Sequence, residues 1–524
     1  MPTADTLFLG ATLWTGTAQT TTATALAVTG GRITAIGTDA ELAELRGPHT
    51  AIVEAEGATL LPGFVDAHAH IWKIGHLLTT LLDLREATSV DDLGVRVRTR
   101  AATLADGAWL YGRGFNETRF PDARVPTRDD LDAVVSDRPV VLMRTCAHII
   151  VCNSLALQQA GLDDTTPDPP GGELGRDAHG RLTGVLSERA IGLVLSRMPP
   201  PTASDYEAMI LAALRHQASR GITSTSDAGV APDLLAVYRR LDAEGRLPLR
   251  VNVMALRTVE GEGVAPLPEI CRTDYLRIDT VKFFADGGLS SATAALSQPY
   301  RHAPSHGVLR MTDDEFLSLA REAHAAGLRL ATHAIGDVAI DQVLRVYAAL
   351  GPGPMRHRIE HFGLPGPAQL REARRLGVIV VPQSIFLHEL GRNFRQYLPD
   401  AFLPRTYPIR RMLDAGLTVA LSSDAPVVVN DAPLAGMQAA LDRRDTDGVA
   451  LTPDEAITLN EALVAYTRGG AVAAGDEHEQ GQLRPGWRAD LVLVDGDVTR
   501  WNIAALESHR IRQTWVGGRC VFAA

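Results

Sequence analysis

The chain has 524 residues, 45% of them hydrophobic and 22% charged, with a formal net charge of −11. It is too long for one simple domain, and its ordinary globular composition allows a large core. The acidic balance argues against a nucleic-acid ligand, which would call for basic patches, and no stretch approaches the roughly 20 consecutive apolar residues of a membrane-spanning helix.

The four cysteines, Cys146, Cys152, Cys271 and Cys520, are scattered with no CxxC pair. They read as buried thiols of a reducing compartment, not as a disulfide frame or a cysteine-held zinc site. The opening Met1-Pro2-Thr3-Ala4-Asp5 does not lead from a basic stretch into an apolar run. No signal peptide is therefore expected, and the cytoplasm is the default location.

In chain order, the first sixty residues read as short strands and turns: Asp5–Trp14, Ala25–Val28, a hairpin signal at Gly30-Gly31, then Arg32–Ile36. The far end has the same texture, with a strand at Ala489–Val494 and a strand pair at Gln513–Val521 broken at Gly517-Gly518. Each end is too small to bury a core alone. One composite β-sandwich domain from residues 1–60 and 476–524 is expected.

Between them, short apolar runs alternate with amphipathic helices, the pattern of βα units on a parallel sheet. The candidate strands are Leu61–His70, Gly221–Asp227, Leu249–Ala255, Asp279–Ala285, Leu328–His333, His357–His361, Val378–Val381 and Leu417–Ser422, with helices such as Asp313–Ala326 and Val338–Leu350 between them. Eight such units predict an α/β fold of the (β/α)8 TIM-barrel type, covering 61–84 and 213–475. The gap after the first strand far exceeds a usual βα loop. Residues 85–212 are read as an insertion or cap subdomain, leaving from the strand end where barrel active sites lie. Gly469–Glu479 is small and polar, and reads as a link back to the β domain.

The chemistry starts at Leu61-Pro62-Gly63-Phe64-Val65-Asp66-Ala67-His68-Ala69-His70. Strand side chains alternate, so His68 and His70 share a face, with Asp66 one layer deeper. Alone, the pair is equally well two buried structural histidines. Other strand ends change that balance. They carry His333, His357 or His361, and Asp424 just past the last strand, while the fourth strand carries Lys282. Imidazoles and a carboxylate at the ends of several barrel strands suit a divalent metal, zinc foremost. His361 is preferred to His357 because it lies nearest the turn Gly363-Leu364-Pro365-Gly366, at the catalytic end. A buried lysine ammonium beside metal cations is electrostatically unfavourable. Lys282 therefore either pairs with Asp286 or Asp279 or is carbamylated by CO2.

In this order, the residues resemble the amidohydrolase superfamily, with the closer likeness to its YtcJ-like, N-substituted formamide deformylase-like branch. The superfamily pattern is HxH on strand one, a carbamylated lysine on strand four, histidines on strands five and six, and an aspartate on strand eight. The matching positions are His68, His70, Lys282, His333, His361 and Asp424. The branch resemblance rests on Val281–Gly288, Thr332–Asp337, Arg356–His361, and, within the insertion, His148 and Asn153-Ser154-Leu155-Ala156-Leu157. It departs at Gly288-Leu289-Ser290-Ser291, where the branch has Ser-Leu-Gly-Ser, so substrate identity does not carry over.

The resemblance implies one or two divalent ions, carbamylated Lys282 as a bridge, and hydrolysis of a non-peptide C–N bond, amide or formamide in type, by a metal-activated hydroxide. Asp424 is then the acid–base group. Ligand imidazoles need acceptors that fix their tautomers. Asp66, Asp227 and Asp286 are candidates, each of which could equally cap a helix or serve a turn. His148 is read as an oxyanion donor or substrate contact, or as a structural histidine beside Arg144. Trp72 either walls the pocket or sits in a core, and Asp337 is placed to cap the helix beginning at Val338. The expected partners are a small-molecule substrate and a second copy of the chain. Two other readings stand beside this one: a mononuclear deaminase of a cyclic amidine with Lys282 unmodified, and a non-catalytic, ligand-binding homologue.

Overall fold

The computed structural model describes residues 3–17, 21–117, 120–144, 149–259, 263–289, 292–301, 304–351 and 355–524. His148, and Ser290 and Ser291 of the departing loop, lie outside the described residues. The chain divides into two compact units, one of Met1–Ile71 with Ala213–Ala524 and one of Trp72–Ala212. Among the described residues, no helix is long and apolar enough to cross a membrane.

The larger unit is built on parallel strands that pair in chain order: β1 (Phe64–Ala69), β2 (Ile222–Val230), β3 (Arg250–Leu256), β4 (Leu276–Phe284), β5 (Arg329–Ala334), β6 (Arg358–His361), β7 (Ile379–Val381) and β8 (Thr418–Val419). Every neighbouring pair on this path is parallel. Helices cover the sheet, which is why its strands read as nearly continuous apolar runs; all six residues of β1 are buried.

Helix α1 (Asp313–Ala325) starts with a capping box of Thr312 and Glu315, and α2 (Asp337–Leu350) follows β5. Asp337 does not cap α2 as expected from sequence. Gly336 holds the cap position, and the Asp337 carboxylate accepts from the Ser297 N–H at 3.0 Å and the Ser297 hydroxyl at 2.6 Å.

The last strand is shorter than its apolar run suggested. After Val419 the chain leaves the ladder and turns toward β1. There the Asp424 N–H donates to the His68 carbonyl and the His70 N–H to the Ala425 carbonyl, both at 2.8 Å. Gly469–Ala474, read from sequence as part of a linker, is instead helical. Its glycines allow direct packing. A Cβ on Gly469 would lie 2.2 Å from the Val419 carbonyl oxygen, and one on Gly470 would lie 2.5 Å from the Val65 Cβ.

The two chain ends form a four-stranded and a five-stranded sheet. In the second, Thr59–Pro62 pairs antiparallel with Leu491–Val494. The sheets share a core that includes Phe8, Leu26, Leu60, Leu491 and Trp515, with the Phe8 and Trp515 rings edge to face at 5.1 Å. The smaller unit carries its own six-stranded sheet. Trp72 belongs to that unit, where its ring meets Tyr206 edge-on at 6.0 Å.

Candidate metal centre

The strand ends bring four imidazoles together. Ring centroids lie 5.7 Å apart for His68 and His70, 5.1 Å for His68 and His361, and 4.4 Å for His333 and His361. Asp424 joins them from the segment after β8, and the donor atoms of His68, His70 and Asp424 all lie within 4.8 Å of one another. Two of these residues are held in the left-handed region, His361 at φ +70° and Asp424 at φ +55°. Such conformations cost energy in residues with a Cβ and persist where surrounding structure enforces them. At His361 the turn breaks strand alternation. Glu360 and His361 are sequence neighbours, yet both reach His68.

Each imidazole has one nitrogen committed to an acceptor. His70 Nδ1 lies 2.8 Å from the Ala228 carbonyl, and His333 Nε2 lies 3.1 Å from the Gly287 carbonyl. A carbonyl can only accept, so these nitrogens carry the proton. His361 Nδ1 meets Gln383 Oε1 at 2.6 Å. The orientation of that amide is set by its own N–H donors, which bond the Val381 carbonyl and the Ser422 hydroxyl, each at 2.9 Å. His68 Nδ1 meets Glu360 Oε2 at 2.5 Å. In the neutral rings the lone pairs therefore sit on the other nitrogens: Nε2 of His68, His70 and His361, and Nδ1 of His333.

Two of those lone pairs point at a carboxylate. Asp424 Oδ1 lies 3.4 Å from His68 Nε2 and 3.1 Å from His70 Nε2, and this buried oxygen has no hydrogen-bond partner among the described residues. Three acceptors converge on one point, and a cation between them satisfies all three. The donor set of two imidazoles and a carboxylate fits a divalent metal.

The electrostatics agree. Burial pushes the pKa of His68 down to about 4 and that of His361 well below the usual range, so both rings are neutral and ligand-competent at ordinary pH. Burial opposes ionisation of Asp424, yet the surrounding histidines hold its carboxyl well below the usual carboxylate range. The same contest holds at Glu360, where Arg358 and His68 prevail over burial. Arg358, fully buried, grips Glu360 with two bonds of 2.7 and 2.8 Å and donates to the Ala67 carbonyl at 2.7 Å.

Lys282 is fully buried on β4, its Nζ 5.0 Å from the Phe284 ring centroid, and its charge acts on His68 and His361. The carboxylates considered as its partners have other roles. Asp279 binds Arg272 and Arg277 at 3.0 and 3.1 Å. Asp286 accepts the backbone N–H groups of Ala295, Ile335 and Gly336 and lies 3.3 Å from His333 Nε2.

Of the three aspartates expected to orient imidazoles, Asp286 touches one, His333. Asp66 accepts from the Ser423 hydroxyl at 2.6 Å and from the N–H groups of Ser423 and His68, so it braces the backbone that carries Asp424; burial raises its pKa to about 7. Asp227 accepts from the Ile71 N–H at 2.9 Å and the Tyr238 hydroxyl at 2.6 Å. His357, the residue before β6, turns away from the cluster, toward His324 and the Leu330 N–H. Sequence reasoning missed the true acceptors, Glu360 and Gln383. A signal for the first was present, since Arg358 and Glu360 form an ion pair two residues apart on a fully buried strand.

The sequence profile of the amidohydrolase family matches residues 51–522. The chain belongs to the amidohydrolase family. It is 32% identical over 517 residues to the YtcJ protein of Bacillus subtilis (strain 168), covering 95% of this chain and 96% of that protein. To the N-substituted formamide deformylase of Arthrobacter pascens it is 29% identical over 536 residues, covering 98% and 97%. The fold matches a crystal structure described as an uncharacterized metal-dependent hydrolase from Pyrococcus horikoshii OT3, with a TM-score of 0.80 and 26% identity over 96% of this chain and 99% of that one. This amidohydrolase is thus a metal-dependent hydrolase of carbon–nitrogen bonds.

Proposed function

We propose that the protein hydrolyses a non-peptide amide or formamide-type C–N bond at a two-metal centre in a closed (β/α)8 barrel. The observation that carries the reading is the convergence of His68 Nε2, His70 Nε2 and an Asp424 oxygen that has no hydrogen-bond partner among the described residues. In this reading His68, His70 and Asp424 would hold one ion, zinc foremost, and His333 and His361 a second, with carbamylated Lys282 between them. The likeness to the formamide deformylase over nearly the whole chain supports the substrate class.

When bound, a divalent cation supplies Lewis acidity, enough to make a water ionise near neutral pH. The chain's own residues do the rest. Glu360, Gln383 and the Ala228 and Gly287 carbonyls fix the imidazole tautomers, so no ring must reorient during turnover. Asp424, whose carboxyl lies well below the usual carboxylate range and is therefore ionised at ordinary pH, accepts a proton from the attacking water and returns it to the leaving nitrogen, which then departs as a neutral amine.

The mononuclear reading stands on one observation: among the described residues, the tight donor group is His68, His70 and Asp424. Metal analysis and a substrate panel on one preparation separate the two. About two metals per chain, a carbamate 13C signal after labelling with 13C-bicarbonate, and turnover of an N-substituted formamide or simple amide are expected. One metal, no carbamate signal and release of ammonia from a cyclic amidine would establish the deaminase instead. A loaded protein that turns over neither class would mark a non-catalytic homologue.

A further inference from the structure

At the opposite ends of the last strands from the imidazoles lies a cavity of about 610 Å³. Arg356, on its wall, stands two residues before β6, the strand that His361 ends, and Leu417 stands directly before β8. The volume falls within the roughly 300–1,000 Å³ that holds a small molecule. Leu417, Val464 and Val472 make part of the wall apolar, and Trp487 adds an aromatic face. None of these residues belongs to the metal centre.

Charge on the wall does not cancel. Glu461 is committed on both oxygens, Oε1 accepting from Arg410 at 2.5 Å and Oε2 from the Thr458 N–H at 2.8 Å. Glu477 is paired with Arg356. That leaves the guanidiniums of Arg468 and Arg484, both on exposed residues. Among the described residues, neither guanidinium has a carboxylate partner or a hydrogen-bond acceptor. In a chain with a net charge of −11 carboxylates are in excess, so two unpaired guanidiniums on one concave surface call for a ligand.

The backbone under both arginines is fixed. Arg468 lies in a π-helical turn, Ala465–Gly469, a form found often at functional sites. Gly481, at φ +90°, presses on it: a Cβ there would lie 2.8 Å from the Arg468 Cα. Arg484 sits in a turn closed by the Trp487 N–H, which donates to the Arg484 carbonyl at 3.0 Å. Its guanidinium carbon is 5.9 Å from the Trp487 ring centroid, within cation–π range. The Trp487 indole N–H also has no acceptor among the described residues. Two guanidiniums and an indole N–H, all without acceptors, thus border one partly apolar recess. A planar guanidinium suits carboxylate and phosphate oxygens alike, and the apolar wall suits a flat hydrocarbon body.

We propose that this cavity binds a small organic anion, a carboxylate or phosphate ester with an aromatic body, held through its charge by Arg468 and Arg484 and through its ring by Trp487. The site stands apart from the metal centre and does not depend on the reaction there. Isothermal titration of the full-length, metal-loaded protein tests it, with benzoate, phenyl phosphate and the neutral benzyl alcohol as probes. At least one anion should bind with a Kd below about 1 mM, and benzyl alcohol at least about 10-fold more weakly. The tighter of the two anions tells a carboxylate ligand from a phosphate. Arg468→Gln and Arg484→Gln should each weaken that affinity about 10- to 100-fold, with Tm and metal content as in wild type. Arg484→Lys, which keeps the charge, should recover part of the loss. Failure of both anions to bind at about 10 mM overturns the assignment. So does binding that the arginine variants leave unchanged, which would place the anion at the metal centre or elsewhere on the surface.

Discussion

Two histidines four residues apart, His357 and His361, illustrate what leaves a buried imidazole with a lone pair to offer. Both are buried, and burial lowers the pKa of each, His357 to about 3. The difference lies in their partners. His361 Nδ1 faces an acceptor, Gln383 Oε1, which leaves its other lone pair for the cluster. His357 Nδ1 receives the Leu330 N–H at 3.1 Å, so its lone pair is used, and its Nε2 meets His324 Nδ1 at 3.1 Å. An acceptor as neighbour frees a lone pair; a donor consumes it. Residue type and burial alone do not separate these cases.

The most severe way to break the contrast is to remove the anion on which the lone pairs converge. Asp424→Asn keeps the size but loses both the charge and the proton acceptor. Turnover should fall by about 10³-fold or more, with metal content reduced. Retention of wild-type kcat would show that the proton travels through another group. The paired substitution of these two histidines is more discriminating. His361→Asn should lose metal and about 100-fold in kcat, whereas His357→Asn should keep both close to wild type. Metal analysis on the paired variants reads this directly, and equal losses would mean that position on the strand, not partner chemistry, governs the site.

Glu360→Gln sharpens the point, since the amide oxygen can still accept from His68 but carries no charge. Metal affinity should weaken about 10- to 100-fold in competition with a chelator. Because Arg358 would be left as a buried charge without its counter-ion, stability should fall by about 3–5 kcal/mol as well, read by denaturant unfolding of the metal-free protein. Loss of stability with unchanged affinity would assign Glu360 to the fold alone.

How much of this was legible in the sequence follows from the same distinction. The ligand-competent residues could be read because their chemistry is local: HxH on one strand, a histidine ending the next runs, and an aspartate past the last. His361 could be separated from His357 by its nearness to the turn. The acceptors could not be read. Glu360 lies 292 positions from His68, and the Ala228 and Gly287 acceptors are backbone carbonyls, which leave no trace in residue identity. The alternation rule also failed where it mattered, because left-handed φ values at His361 and Asp424 reorient the last residues of their segments. The glycines at 469 and 470 read as a linker because composition does not distinguish a flexible glycine from one that admits a close neighbour.

The smallest effect on activity belongs to His357, and its signature is in pH. The folded protein holds this ring neutral down to about pH 3, against 6.5 for an ordinary histidine, through burial reinforced by His324 and Arg329. Between those values the unfolded chain binds a proton that the native chain does not, so stability from this site falls on acidification below 6.5. By pH 4 the loss amounts to about 3 kcal/mol. In His357→Asn, the side-chain oxygen can still accept from the Leu330 N–H, but nothing titrates. The variant should therefore lose less stability than wild type between pH 6.5 and 4 in urea unfolding of the metal-free protein, while kcat at neutral pH is unchanged. Parallel stability profiles would mean that His357 is protonated in the native state, and that its lone pair is not committed to Leu330.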